Sequence, residues 1–437
     1  MRISFYTLGC KVNQFETHLL SDRFAANGFE VVDFGHECDI CIVNTCCVTA
    51  KAAYQARQIL RKIQREQPNT KIVATGCYAQ VYPNEIFDAL EGKVCIIGND
   101  QKHRLPEMAK SQEECVRICV GDINKVKSIE PYLLSKPFKR TRAFLKIQDG
   151  CNSFCSYCIV PYARGRSRSL PFDLVKKQVT LFQEHNIKEI VLTGINLAYW
   201  GKDLKEPLSI KKLMQKLLPA FPQIRFRLSS LEPTEISENL LSFLAEQPNF
   251  CHHFHIPLQS GSLNVLKTMK RRYTPSDFAK VICMIKNYFP NAAIGIDVMA
   301  GFPTETQEEF ENTLAFLKDL PFTYIHAFPY SARPGTLASG WKETCTKQEK
   351  AQRVKELIKL GNLKKKSFYK SAIGTEAELL IEQKDKKTGL WKGLTSNYIP
   401  VALPPEYSHE SLSNKLIKIK LLPSKNKDFL YGQIQKL

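Results

Sequence analysis

The chain has 437 residues, 43% hydrophobic and 24% charged, with a formal net charge of +19 and 15 cysteines. That length predicts two or three domains, and the balance of apolar and charged residues excludes a disordered or fibrous chain. No apolar run reaches the roughly 18 residues of a membrane span. The start, Met1–Tyr6, reads as a strand and not as a secretion signal, so a cytoplasmic protein with no membrane partner is expected.

The alternation of short apolar runs with helical patterns predicts an α/β fold. Residues 1–125 place strands at Ile3–Leu8, Asp39–Asn44 and Lys71–Thr75, each followed by a helix, which implies a mainly parallel sheet. Residues 126–142 are basic, carry Pro131 and Pro137, and read as a linker. Residues 143–370 hold six strand–helix units, with strands beginning near Ala143, Glu189, Arg225, His253, Ala293 and Tyr324. That number fits an incomplete (β/α)6 barrel better than a closed eightfold one, with the chemistry in the loops after the strands. Residues 371–437 carry short β-type runs at Ala377–Gln383, Tyr398–Leu403, Leu416–Leu422 and Tyr431–Ile434, broken by Gly, Pro and Lys-rich turns, as in a small β-barrel.

An excess of positive charge attracts polyanions by releasing their counterions; the same charge also serves plain solubility. The basic stretches Lys136–Arg142, Arg164–Arg168, Arg271-Arg272 and Lys364–Lys366 are candidates for phosphate contacts. Clustered cysteines in a reducing compartment point to metal or redox chemistry rather than disulfides.

The densest cluster is Cys151-Asn152-Ser153-Phe154-Cys155-Ser156-Tyr157-Cys158, directly after the first strand of the central segment. Three thiolates this close can hold three corners of a 4Fe–4S cubane and leave the fourth iron without a protein ligand. A zinc knuckle would want a fourth Cys or His nearby, and none follows at suitable spacing. Cys155 and Cys158 alone have the spacing of a redox pair. A second trio, Cys10, Cys46 and Cys77, is dispersed in sequence. Each member follows a predicted strand of the first segment, and the carboxyl ends of parallel strands share one edge. The trio can therefore converge on one site, although a single cysteine is more often a buried apolar side chain.

The C-x-x-x-C-x-x-C spacing resembles that of the radical S-adenosylmethionine (SAM) superfamily. Thr7-Leu8-Gly9-Cys10-Lys11-Val12-Asn13-Gln14, Asn44-Thr45-Cys46-Cys47-Val48-Thr49, Gly76-Cys77-Tyr78-Ala79-Gln80, Val160–Arg168 and His255–Gly261 resemble the methylthiotransferases within it. They are most similar to the branch acting on N6-threonylcarbamoyladenosine beside the tRNA anticodon, and the tail resembles the RNA-binding TRAM barrel. The resemblance implies two 4Fe–4S clusters, one on Cys10, Cys46 and Cys77 and one on Cys151, Cys155 and Cys158. SAM would lie against the loops of Gly194, Ser229, Gln259 and Gly301. The radical so produced would remove hydrogen from C2 of the adenine, which then takes up a methylthio group. Partners implied are tRNA and an electron donor such as a flavodoxin or ferredoxin; the sulfur source is not implied. Arg164, Arg166 and Arg333 are candidates to pair with the threonylcarbamoyl carboxylate. Isopentenyladenosine in tRNA and an aspartate of a ribosomal protein are the alternative substrates, and an iron–sulfur RNA-binding protein is the non-enzymatic alternative. Cys47, where the family usually has another residue, competes with Cys46 as ligand.

Overall fold

The computed structural model describes residues 1–110, 118–135 and 141–435. The first domain is a six-stranded parallel sheet in the order β2-β1-β3-β4-β5-β6. Its elements are β1 (Arg2–Thr7), α1 (Lys11–Ala26), β2 (Glu30–Val32), β3 (Ile40–Thr45), α2 (Ala50–Glu66), β4 (Lys71–Gly76), α3 (Cys77–Val81), α4 (Pro83–Ala89), β5 (Cys95–Ile97), α5 (Leu105–Lys110) and β6 (Ile118–Cys119). β3 and β4 are covered on both faces, so their middles, residues 40–43 and 72–74, read as unbroken apolar runs.

The second domain begins with β7 (Arg142–Lys146), then a two-strand ribbon of β8 (Gln148–Asp149) and β9 (Arg168–Ser169) around the short helix α6 (Val160–Arg164). There follow α7 (Phe172–Glu184), β10 (Glu189–Thr193), α8 (Ile210–Ala220), β11 (Arg225–Leu228), α9 (Glu238–Ala245), β12 (His253–Gln259), α10 (Leu263–Thr268), α11 (Pro275–Tyr288), β13 (Ala293–Ala300), α12 (Gln307–Asp319), β14 (Tyr324–Pro329) and α13 (Lys347–Ala372). Strands β7, β10 and β11 pair in parallel, as do β12, β13 and β14. Single bridges at Phe226–Phe250 and Ser230–His255 join the two halves. The six strands thus form an arc that does not close, as the sequence predicts. Phe15 of α1 belongs to the same apolar core as β7 and β10, so the first domain packs directly on the second. Residues 126–135 are not a free spacer: the Leu134 N–H donates to Gln178 Oε1, and Leu134 is buried in that core.

The last domain is a closed five-stranded barrel of β15 (Glu376–Lys384), β16 (Trp391–Thr395), β17 (Pro400–Ala402), β18 (Leu416–Leu422) and β19 (Leu430–Ile434). It docks on the amino end of the second domain's strands. There Glu189, fully buried at the start of β10, accepts from Arg225 and Arg227. The same two arginines donate onward to the carbonyls of Leu394, Thr395 and Ser396. Among the described residues no helix is long and apolar enough to cross a membrane.

Candidate active site

The dispersed cysteines occupy equivalent positions at the carboxyl edge of the first sheet. Cys10 is the N-cap of α1, Cys46 follows β3, and Cys77 opens α3. Helix amino ends favour thiolate over thiol. Two glycines permit the approach. Gly9 has φ +99°, and a Cβ there would lie 2.9 Å from the Cβ of Cys46. Gly76 has φ +96°, and its Cβ would meet the Thr45 carbonyl at 2.4 Å. Burial pushes the Cys46 thiol up to about 12, and Cys77 and Cys10 push the same way. Cys47 is fully buried and belongs to the same apolar cluster as Cys77, Cys41, Val43 and Ala53.

The local trio lies at the carboxyl end of the barrel. The Cys158 N–H donates to the Cys155 carbonyl, and the Ser153 N–H donates to Cys151 Sγ at 3.4 Å. Arg271 Nη1 donates to Cys155 Sγ at 3.4 Å while Nη2 pairs with Glu232. Burial pushes the Cys158 thiol up to about 12, helped by Cys155.

A cavity of about 500 Å3 lies against the local trio and reaches the loop after Cys46, while Cys10, Cys46 and Cys77 themselves are not in its lining. Cys151, Cys155 and Cys158 line one wall, while Val48 and Thr49, from the loop after Cys46, line another. Met299, Phe328 and Tyr330 make its apolar side. Gln259 lines it as well, with φ +68° and Oε1 without a hydrogen-bond partner among the described residues. The Ser229 Oγ is likewise buried and unpartnered, one residue before the lining Ser230. Gly194 stands one residue before the lining Ile195, packed on Gln148. Gly301 sits two residues beyond the lining Met299, and its φ of +71° and close neighbour Lys350 account for the glycine.

Sequence reasoning missed Asn196, Glu232 and Asp297 in the lining. Asp297 accepts from His255 Nε2 at 2.9 Å and approaches His326 Nδ1 at 3.4 Å. Burial would raise its carboxyl, but the two histidines outweigh that and hold it well below the usual range. Among the described residues this is the one set of three His, Cys, Asp or Glu donors that all lie within 4.8 Å of one another. Neither cysteine trio is so tight. A single tetrahedral zinc at about 2.3 Å from each sulfur needs sulfurs about 3.8 Å apart, closer than either trio stands.

The three candidate arginines part company. Arg164 is 2% exposed and donates to Glu16 Oε1, Asp149 Oδ1 and Asn13, so it is not available to a substrate carboxylate. Arg166 is exposed, with its guanidinium 4.5 Å over the Phe154 ring. Arg333 is buried against the ring of Tyr82, and its Nε and Nη1 find no partner among the described residues. Arg271, expected at phosphate, is instead committed to Cys155 and Glu232. Arg142 pairs with Glu382, and Lys364 donates to the carbonyls of Lys318 and Leu320. Residues 136–140 of that basic stretch lie outside the described residues.

An open parallel barrel with a C-x-x-x-C-x-x-C loop at its carboxyl end defines a radical SAM enzyme. The chain matches the Radical SAM superfamily over residues 145–317 and the uncharacterized protein family UPF0004 over residues 2–98. It is 37% identical to the threonylcarbamoyladenosine tRNA methylthiotransferase MtaB of Aquifex aeolicus, across 92% of this chain and 96% of the relative. Identity to the Bacillus subtilis protein of that name is also 37%, across 96% and 93% of the two chains. A tRNA-2-methylthio-N(6)-dimethylallyladenosine synthase of Pseudothermotoga lettingae is 32% identical, across 100% and 99%. Among solved structures, the radical SAM methyltransferase TsrM of Kitasatospora setae shares the fold at a TM-score of 0.58 and 13% identity, over 77% of each chain. The chain belongs to the methylthiotransferase family of radical SAM enzymes, which use SAM and a 4Fe–4S cluster and carry a second cluster.

Proposed function

We propose that the chain adds a methylthio group to C2 of N6-threonylcarbamoyladenosine beside the anticodon of a tRNA, in the cytoplasm. The observation that carries this reading is the single cavity lined both by Cys151, Cys155 and Cys158 and by the loop that follows Cys46. Cys151, Cys155 and Cys158 hold one cluster, and Cys10, Cys46 and Cys77 hold the other. When bound, these clusters and SAM supply the hydrogen-abstracting radical, the methyl group and the point of sulfur attachment.

The chain's own residues do the rest. Arg271, clamped by Glu232, fixes the Cys155 thiolate and offsets its charge. Gln259 and Ser229 offer unpartnered polar atoms to the polar end of SAM, with the loops of Gly194 and Gly301 close by. Met299, Phe328 and Tyr330 keep water from the reacting carbon. Arg333 is the buried cation left to receive the substituent's carboxylate, a group that an isopentenyl chain lacks. A one-electron carrier such as a flavodoxin or ferredoxin supplies the electron.

Nucleosides of tRNA from cells with and without the gene, separated and weighed, test the reading. Loss of the 2-methylthio form of threonylcarbamoyladenosine is expected. Loss of the isopentenyl derivative instead, or no change in any tRNA nucleoside, refutes it. In vitro, Cys155→Ala should abolish SAM cleavage, whereas Cys46→Ala should keep SAM cleavage and lose the product.

A further inference from the structure

The cluster loop has a second, outward side. Phe154 lies between Cys151 and Cys155 with φ +46°, a left-handed conformation uncommon outside glycine. Its half-buried ring meets Tyr162 edge to face, with centroids 6.1 Å apart and planes at 86°. Tyr162 is 46% exposed. Arg166 covers the same ring at 4.5 Å. Arg164, Arg166 and Arg168 alternate along the chain: the outer two turn inward to Asp149, while Arg166 is exposed, with no ion pair among the described residues. Ser153, beside Phe154, and Val160, two residues before Tyr162, line the cavity, so the loop that carries the aromatic pair borders it.

We propose that Phe154, Tyr162 and Arg166 form a stacking platform for the unpaired nucleotide adjoining the target adenosine. The base lies against the aromatic pair, and its phosphate meets the Arg166 guanidinium. The proposal rests on the reading of the chain as a tRNA-modifying enzyme. An adenosine turned into the cavity leaves its neighbour at the mouth, unstacked from it. Unpaired RNA bases are held by aromatic faces and arginine planes, without regard to base identity. The excess positive charge of the chain complements such a partner. Arg166 thus acts on the RNA backbone rather than on the threonylcarbamoyl carboxylate.

The test uses full-length reconstituted protein and an anticodon stem–loop RNA with 2-aminopurine beside the target adenosine. Wild-type protein should bind it and quench the 2-aminopurine. Tyr162→Leu and Arg166→Gln should each raise Kd roughly tenfold or more and relieve the quenching. Arg166→Gln should also lower the slope of log Kd against log salt by about one; Tyr162→Leu should leave the slope as it is. Iron content and melting temperature report whether each variant is folded, and Arg166→Lys, which keeps the charge, should restore the slope. If the wild type binds and both variants bind within twofold with quenching unchanged, the platform is overturned while the tRNA reading stands. If the wild type does not bind the stem–loop, both fall.

Discussion

Glu16 offers the sharpest test of how the two cysteine-bearing domains are held together. From α1 it accepts Lys102 at 2.7 Å, Lys146 at 2.8 Å and Arg164 at 2.9 Å. The last two belong to the second domain, and all four side chains are at most 10% exposed. Asp149 is the other anion, taking Lys146, Arg164 and Arg168. Glu16→Gln leaves one carboxylate among four cations, and Lys102 loses its carboxylate partner while Asn44 Oδ1 stays at 3.4 Å. Removing one member of a buried pair costs about 3–5 kcal/mol. At about 1.36 kcal/mol per tenfold, α1 should part from the barrel roughly 100-fold more often, or more. Native-state hydrogen exchange of the α1 amides measures this directly. Lys62→Gln, which breaks an exposed pair with Glu66, is the control and should change little. The sign with pH also follows. Burial raises Glu16, but Arg164, Lys102 and Lys146 outweigh it and hold the carboxyl well below the usual range. Asp149 is held down in the same way, against its burial, by Lys146 and Arg164. A depressed carboxyl stabilises above its unfolded pKa of about 4 and loses that contribution only below it. α1 protection in the wild type should therefore be flat from pH 8 to 5 and fall in stronger acid. If Glu16→Gln changes α1 exchange less than fivefold, the network does not join the domains.

Two further tests concern the dispersed trio. Gly76→Ala must place a Cβ 2.4 Å from a carbonyl at φ +96°, whereas Gly35, at φ +99°, has nothing within 4 Å. Gly35→Ala should cost about 1–2 kcal/mol of conformational strain. Gly76→Ala should cost more and lower iron from about eight to about four per chain; equal losses in both variants would refute the steric argument. Cys47→Ala should keep about eight irons and Cys46→Ala only about four. The reason is that Cys46 Sγ lies 3.1 Å from the Cβ position at Gly9, beside Cys10. The reverse result would make Cys47 the ligand.

The central strands were legible because buried parallel strands are short apolar runs, and Glu189–Thr193 coincides with β10. β16 escaped notice because Lys392 and Gly393 interrupt it; Gly393 is needed where a Cβ would meet the Leu380 carbonyl at 2.0 Å. β2, β5 and β6 are too short to carry a pattern. The dispersed cysteines could be grouped because strand ends share an edge, which topology alone supplies. The fates of Arg164 and Arg271 could not be read. Each stands in a basic stretch that resembles a phosphate contact. Each is committed by a carboxylate distant in sequence, Glu16 for Arg164 and Glu232 for Arg271, and only the fold brings those pairs together.

The two ends of the barrel are covered by different domains. The first domain covers the carboxyl end, where the cysteine loops lie, and the small β-barrel covers the amino end through Glu189, Arg225 and Arg227. Strands of five residues separate these ends by about 16 Å, so the small barrel cannot touch a nucleoside in the cavity. We predict that its contribution is to hold RNA outside the loop being modified. On β18, Ile417, Ile419 and Leu421 face the barrel core, and Lys418 and Lys420 alternate with them on the exposed face. Phosphate contacts there add uniform binding, which raises affinity without touching the chemical step. Lys418→Gln with Lys420→Gln should raise KM for tRNA severalfold and lower the salt slope by about two, with kcat unchanged. A fall in kcat at unchanged KM would place this face in the chemistry instead, and the division of the barrel's two ends would be wrong.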